Sequence, residues 1–109
     1  MGLAILGEVL HVWQTYALDD TIYVRKGEAL GLGSEVAILP GDPERGRDFE
    51  GRTYLLGIEQ VRDVIEGLEA QLGRVPTASE RLRAVLYYAT YDAFIDPRDL
   101  REHDGSRQN

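Results

Sequence analysis

Cysteine is absent from this 109-residue chain, which excludes disulfides, thiolate nucleophiles and thiolate metal ligands together and leaves packing alone to hold the fold. No stretch approaches the ~18 consecutive apolar residues of a membrane span. The short apolar start from Met1 to Leu6 has no basic flank and soon meets Glu8 and His11, so a secretory leader is not expected. A soluble, cytoplasmic protein is. Basic residues are also scarce: twelve Lys and Arg face nineteen Asp and Glu, for a net charge of −7. Such a balance repels nucleic acid and favours basic protein partners. The excess is spread along the chain. Residues 1–20 hold Glu8, Asp19 and Asp20 with no Lys or Arg, and farther on Glu59, Asp63, Glu66 and Glu69 outnumber Arg62 and Arg74. A solvated, aggregation-resistant surface accounts for most of that acidity.

What is present is ordinary globular material, 43% hydrophobic and 28% charged, in a length that fits one domain. Leu6, Val9, Leu10 and Trp13 follow the spacing of one helical face, which predicts a first helix from about Leu3 to Gln14. Asp19-Asp20 turns the chain into Thr21–Arg25, a β-branched and aromatic run that reads as a strand. Glycines 27, 31 and 33 break the chain before a second strand, Glu35–Leu39, which ends at Pro40-Gly41. Gly41 to Arg52 is charged and nearly free of apolar residues, as an exposed loop should be; Tyr54-Leu55-Leu56 then resumes the sheet. Ile58, Val61, Ile65, Leu68 and Leu72 mark a strongly amphipathic helix stopped by Gly73. Gly67 within it costs about 1 kcal/mol relative to Ala unless a neighbouring backbone packs there. After Pro76, Thr77-Ala78-Ser79-Glu80 is a capping box that opens a last helix, whose core face is Leu82, Val85, Leu86 and Ala89. The expectation is an α+β domain over residues 1–96, a three-stranded antiparallel sheet joined by hairpins and covered on one face by helices, in the order α-β-β-β-α-α. Asp96-Pro97 and the polar tail 97–109 should fray.

Catalytic signatures are missing. His11 and His103 have no metal or triad spacing, and the three glycines lack the phosphate-loop pattern. Asp42, Glu44, Asp48 and Glu50 alternate as calcium ligands do, but without the glycine and closing glutamate of an EF-hand in register; an acidic contact loop explains them better. Asp92 and Asp96 are the one carboxylate pair suited to acid–base work, yet acids at a helix end commonly serve solvation. No enzyme, cofactor or metal is therefore expected.

The densest cluster of recognition chemistry is Tyr87-Tyr88-Ala89-Thr90-Tyr91-Asp92-Ala93-Phe94-Ile95-Asp96. Tyr87 and Tyr91 lie one helical turn apart on a face away from the core. Tyrosine supplies contact area at low entropic cost, and carboxylates steer and pair with Lys or Arg, so this segment suits a cationic protein. Phe94 and Ile95 are expected to close the hydrophobic core instead. The partner-binding set read from the sequence is Tyr87, Tyr91, Asp92, Asp42, Glu44 and Asp48.

Two segments, Tyr54-Leu55-Leu56-Gly57-Ile58-Glu59-Gln60-Val61-Arg62-Asp63-Val64-Ile65 and Tyr87-Tyr88-Ala89-Thr90-Tyr91-Asp92-Ala93-Phe94-Ile95, resemble a family of small acidic bacterial proteins of unassigned function. These are similar to the immunity proteins of polymorphic-toxin and contact-dependent inhibition systems. The resemblance implies a non-enzymatic protein that neutralises a cognate basic toxin, such as a nuclease, by covering its active cleft. It supplies no catalytic residues, and Arg45, Arg47 and Arg52 interrupt the acidic loop. The alternative from another class is a homo-oligomeric structural or regulatory module, a homodimer whose exposed tyrosines meet their own copies across a two-fold axis.

Overall fold

The computed structural model of the chain describes residues 2–41 and 51–103. Strand β1 (Gly2–Ile5) leads into a short helix, α1 (Leu6–His11), and a single 3-10 turn at Trp13–Thr15; β2 (Thr21–Arg25), β3 (Glu35–Leu39) and β4 (Arg52–Gly57) follow, then α2 (Ile58–Leu72), α3 (Ala78–Tyr91) and α4 (Pro97–His103). The strands form one antiparallel sheet in the order β1-β3-β2-β4.

The mixed α and β architecture with an antiparallel sheet agrees with the sequence reading, but its three-stranded count does not. Leu3 to Ile5, expected as the start of a helix, belongs instead to an edge strand, Gly2–Ile5, paired to β3 through Leu3↔Ala37 and Ile5↔Glu35. Its backbone is drawn into the sheet by a partner thirty or more residues away, a long-range pairing that outweighs local helical periodicity. The helix that remains ends at His11, where Val12 leaves helical geometry. The hairpin expectation holds for β2 and β3 only. β4 pairs with β2, on the far side from β3, so β3 and β4 follow one another in the chain without being neighbours in the sheet.

A bulge in β4 decides which side chains face the core. Ile22 pairs with Leu56 but Tyr23 pairs with Tyr54, so Leu55 is the extra residue. In a regular strand Tyr54 and Leu56 would share a face. The bulge lets Leu55 and Leu56 pack on the helix side while Tyr54 sits on the other face, edge-on to Tyr23 at 6.2 Å. On the helix side Ile22, Val24, Val36, Ile38 and Leu56 meet Leu6, Val9, Leu10, Trp13 and the α2 stripe of Ile58, Val61, Val64, Ile65 and Leu68. On the opposite face Tyr23 and Ala37 are buried outside that cluster, and Glu35 bridges Arg25 and Arg52, each at 3.2 Å.

The turn between α2 and α3 is closed by capping chemistry. Gly73 takes the left-handed conformation (φ 72°) and donates its N–H to the Glu69 carbonyl at 2.9 Å, a conformation that favours glycine. The Thr77 hydroxyl accepts from the Glu80 N–H at 3.1 Å while the Glu80 carboxylate accepts from the Thr77 N–H at 2.9 Å, the capping box read from the sequence. Arg74 grips the same carboxylate with two bonds of 2.8 and 2.7 Å. Glu80 is buried, and the hydrogen bonds from Arg74, reinforced by the Thr77 amide, bring its pKa from 4.5 down to about 2.

α3 rotates its core face slightly from the expected one: Ala84 and Val85 are buried, Leu82 is half-buried, and Ala89 is exposed. Residues 97–103, expected to fray, form α4. Asp96 caps it, its carboxylate accepting the Arg98 N–H at 2.9 Å, and Pro97 occupies the first helical position, where no N–H is needed. The helix buries Leu100 in the core, with the Leu100 carbonyl accepting a bond from Arg83 at 3.1 Å.

Candidate functional site

Two segments far apart in sequence converge at the amino end of α2. The Asp20 carbonyl accepts the Ile58 N–H at 2.8 Å and the Leu18 carbonyl accepts the Glu59 N–H at 3.1 Å. The Gln60 side-chain oxygen accepts both the Gly57 N–H at 3.0 Å and the Tyr54 hydroxyl at 2.9 Å. The first amides of α2, which would otherwise attract an anion, are thus consumed internally. Around them opens a cleft of about 370 Å3 whose lining includes Asp19, Asp20, Glu59 and Asp63 beside Tyr54 and Gln60. Arg62 flanks it, pairing with Asp63 at 3.1 Å and with Glu59 at 3.6 Å. One guanidinium against four carboxylates leaves the cleft negative, a shape and charge that accept a guanidinium or ammonium group.

The tyrosine segment occupies the carboxyl end of α3. The Tyr87 and Tyr91 rings lie 4.6 Å apart, tilted by 48°; Tyr91 is 64% exposed, whereas Tyr87 is half-buried against the core. Asp92 ends the helix in the left-handed conformation (φ 56°), its N–H bonded to the Tyr88 carbonyl at 2.8 Å and its side chain in solvent. The reversal it makes brings Phe94 beside Tyr88, with ring centroids 5.2 Å apart. Ile95 enters the core as expected, but Phe94 does not. It remains 56% exposed, because the left-handed step at Asp92 turns the chain across the α2–α3 seam and only one of two consecutive side chains can point inward. Phe94 and Ile95 wall an apolar groove of about 230 Å3 over that seam, together with Val64, Leu68 and Ala84. Gly67 also lines the groove, and a Cβ built there meets nothing within 4 Å, so no packed backbone explains this glycine.

Of the six partner-binding residues read from the sequence, Tyr87, Tyr91 and Asp92 are brought together at one helix end. Asp42, Glu44 and Asp48 lie outside the described residues. The Asp96 carboxylate is held by Arg98 at 3.0 Å, and that side-chain bond together with the Arg98 amide keeps its pKa below the usual carboxylate range. His11 is exposed at the end of α1. Among the described residues no group of three or more His, Asp or Glu is placed to hold a metal ion, and no helix is long and apolar enough to cross a membrane. The acidic cleft is the feature that local reading missed. Its signal was present in two base-poor stretches, Asp19-Asp20 and Glu59 to Asp63, but only the α2 cap joins them.

Residues 3–97 match the model of a protein family described as a domain of unknown function, DUF7716. The chain belongs to this family. The match runs from β1 to the first residue of α4, and so spans both the acidic cleft and the tyrosine end of α3. No curated protein and no solved structure matches the chain.

Proposed function

We propose that the protein is a non-enzymatic binding module that covers a basic protein partner, and within that class an immunity protein that neutralises a cognate toxin such as a nuclease. The observation that carries this reading is the cleft at the amino end of α2, lined by Asp19, Asp20, Glu59 and Asp63, with Arg62 paired to the last two only. A nuclease cleft is lined with cations that bind phosphate, and carboxylates spaced along a groove occupy the positions of those phosphates. Phe94, exposed on the wall of an apolar groove, and Tyr91, exposed at the end of α3, supply the anchors that exclude water in such a complex. The family resemblance in Tyr54–Ile65 and Tyr87–Ile95 supports the same reading.

The direct test titrates the product of the neighbouring gene with the protein and two double variants, Asp19→Asn/Asp63→Asn and Tyr91→Ser/Asp92→Ser. Each pair is expected to weaken binding by about 10- to 100-fold, the range of a lost charge pair or aromatic anchor. Unchanged affinity in both variants, with the fold intact by circular dichroism, overturns the reading.

A further inference from the structure

We infer that the outer edge of β1 is a self-association site, through which two copies of the chain join their sheets antiparallel. Among the described residues β1 is an end strand, bonded to β3 alone. The Leu6 N–H donates to the Ser34 carbonyl at 2.8 Å in the same register that pairs Ala4 with Val36 and Gly2 with Ile38. In an antiparallel ladder residues alternate between facing the partner strand and facing away. Gly2, Ala4 and Leu6 therefore point their amides and carbonyls at β3, and Leu3 and Ile5 point theirs outward, where no neighbouring strand of the described residues receives them.

Edge strands ordinarily carry a charge, a proline or a bulge that deters pairing. β1 carries none of these. Leu3 and Ile5 are instead 55% and 45% exposed, on the face where Leu3 abuts buried Ala37. Charge admits a second copy at this edge, and the register of β1 favours one. A chain of net charge −7 repels itself over most of its surface, but residues 2–7 are uncharged, and Glu35, which pairs with Ile5 in the sheet, is already bridged by Arg25 and Arg52.

Self-complementarity follows from the register. A two-fold axis at Ala4 sets Leu3 of one copy opposite Ile5 of the other, and each such pair exchanges two backbone bonds. All four apolar side chains then share one face, in a continuous sheet where the row Leu3–Ala37–Tyr23–Tyr54 of each copy runs on into Ile5 of the other. So short a ladder buries less than a standard interface, so the dimer is weak, with Kd on the order of 10–100 μM.

Sedimentation equilibrium across roughly 5 μM to 1 mM protein, a span that brackets that affinity, tests the site. The weight-average mass is expected to rise from the 12.2 kDa monomer toward twice that value. Leu3→Lys/Ile5→Lys should hold the mass at the monomer value throughout, with an unchanged circular dichroism spectrum because both side chains are exposed. Val75→Lys, at an exposed apolar residue elsewhere, should dimerise like the parent. A mass that stays monomeric at every concentration overturns the inference. So does a dimer that survives the double lysine variant, or one abolished by Tyr91→Ser, which would place self-association on the tyrosine end of α3.

Discussion

Replacing Glu80 with glutamine removes one charge from a buried latch without changing its shape. The native carboxylate takes two bonds from Arg74 and one from the Thr77 amide, and its pKa falls from 4.5 to about 2. At about 1.4 kcal/mol per unit that depression corresponds to roughly 3 kcal/mol of stability. Arg74 is half-exposed, so solvent weakens its share and about 2 kcal/mol is the working figure. Because the folded pKa lies below the unfolded one, this stability is fully present above about pH 4.5 and is lost as the pH falls toward 2. Urea denaturation at a series of pH values should therefore show Glu80→Gln less stable than the parent by about 2 kcal/mol at pH 7, or ~10 °C in Tm for a domain of this size. The two proteins should draw together as the pH approaches 2, where about half of the native carboxylate is itself protonated. Arg74→Met should depress stability at neutral pH by a similar amount and show little further loss in combination with Glu80→Gln, since both remove one interaction. A Glu80→Gln penalty of equal size at pH 7 and pH 2.5 would refute the electrostatic reasoning, because a purely steric defect does not titrate.

Other substitutions probe the remaining links. Leu100→Ala should cost about 2–5 kcal/mol in chemical denaturation, as for any fully buried leucine, and an effect under 0.5 kcal/mol would show that α4 does not dock on the core. Gly67→Ala should stabilise by up to about 1 kcal/mol, because the helix gains propensity and the new Cβ meets nothing. Gly7→Ala should instead destabilise, since its Cβ would stand 2.8 Å from the Leu32 carbonyl oxygen, and thermal melts of the two alanine variants should move in opposite directions.

Local chemistry foretold most elements of this fold. The β-branched run Thr21–Arg25, the apolar stripe of α2, the glycine stop at Gly73 and the Thr77/Glu80 capping box each act through neighbours within a few residues, and all stand where the sequence put them. What escaped were features decided at long range. β1 looked helical because Leu6, Val9 and Leu10 are helical; its strand state comes from β3. The passage from β3 across β2 to β4 left no mark in the sequence, and neither did the bulge at Leu55 that separates Tyr54 from the core. α4 was legible and misread: Asp96-Pro97 is both a place to stop a helix and a cap with a first-turn proline that starts one. At the candidate site the tyrosine spacing held because i and i+4 are neighbours on any helix. The acidic cleft was invisible because its two halves meet only when the carbonyls of Leu18 and Asp20 cap α2.

The most direct test of a function built on negative charge is isothermal titration of the neighbouring gene's product with the protein at about 50 mM and about 500 mM salt, alongside Asp19→Asn/Asp63→Asn. Screening over a Debye length that shrinks from roughly 14 to 4 Å should weaken parental binding at least about tenfold and weaken the depleted variant far less. Tight binding with the same affinity at both salt concentrations, or no binding at either, would contradict the account.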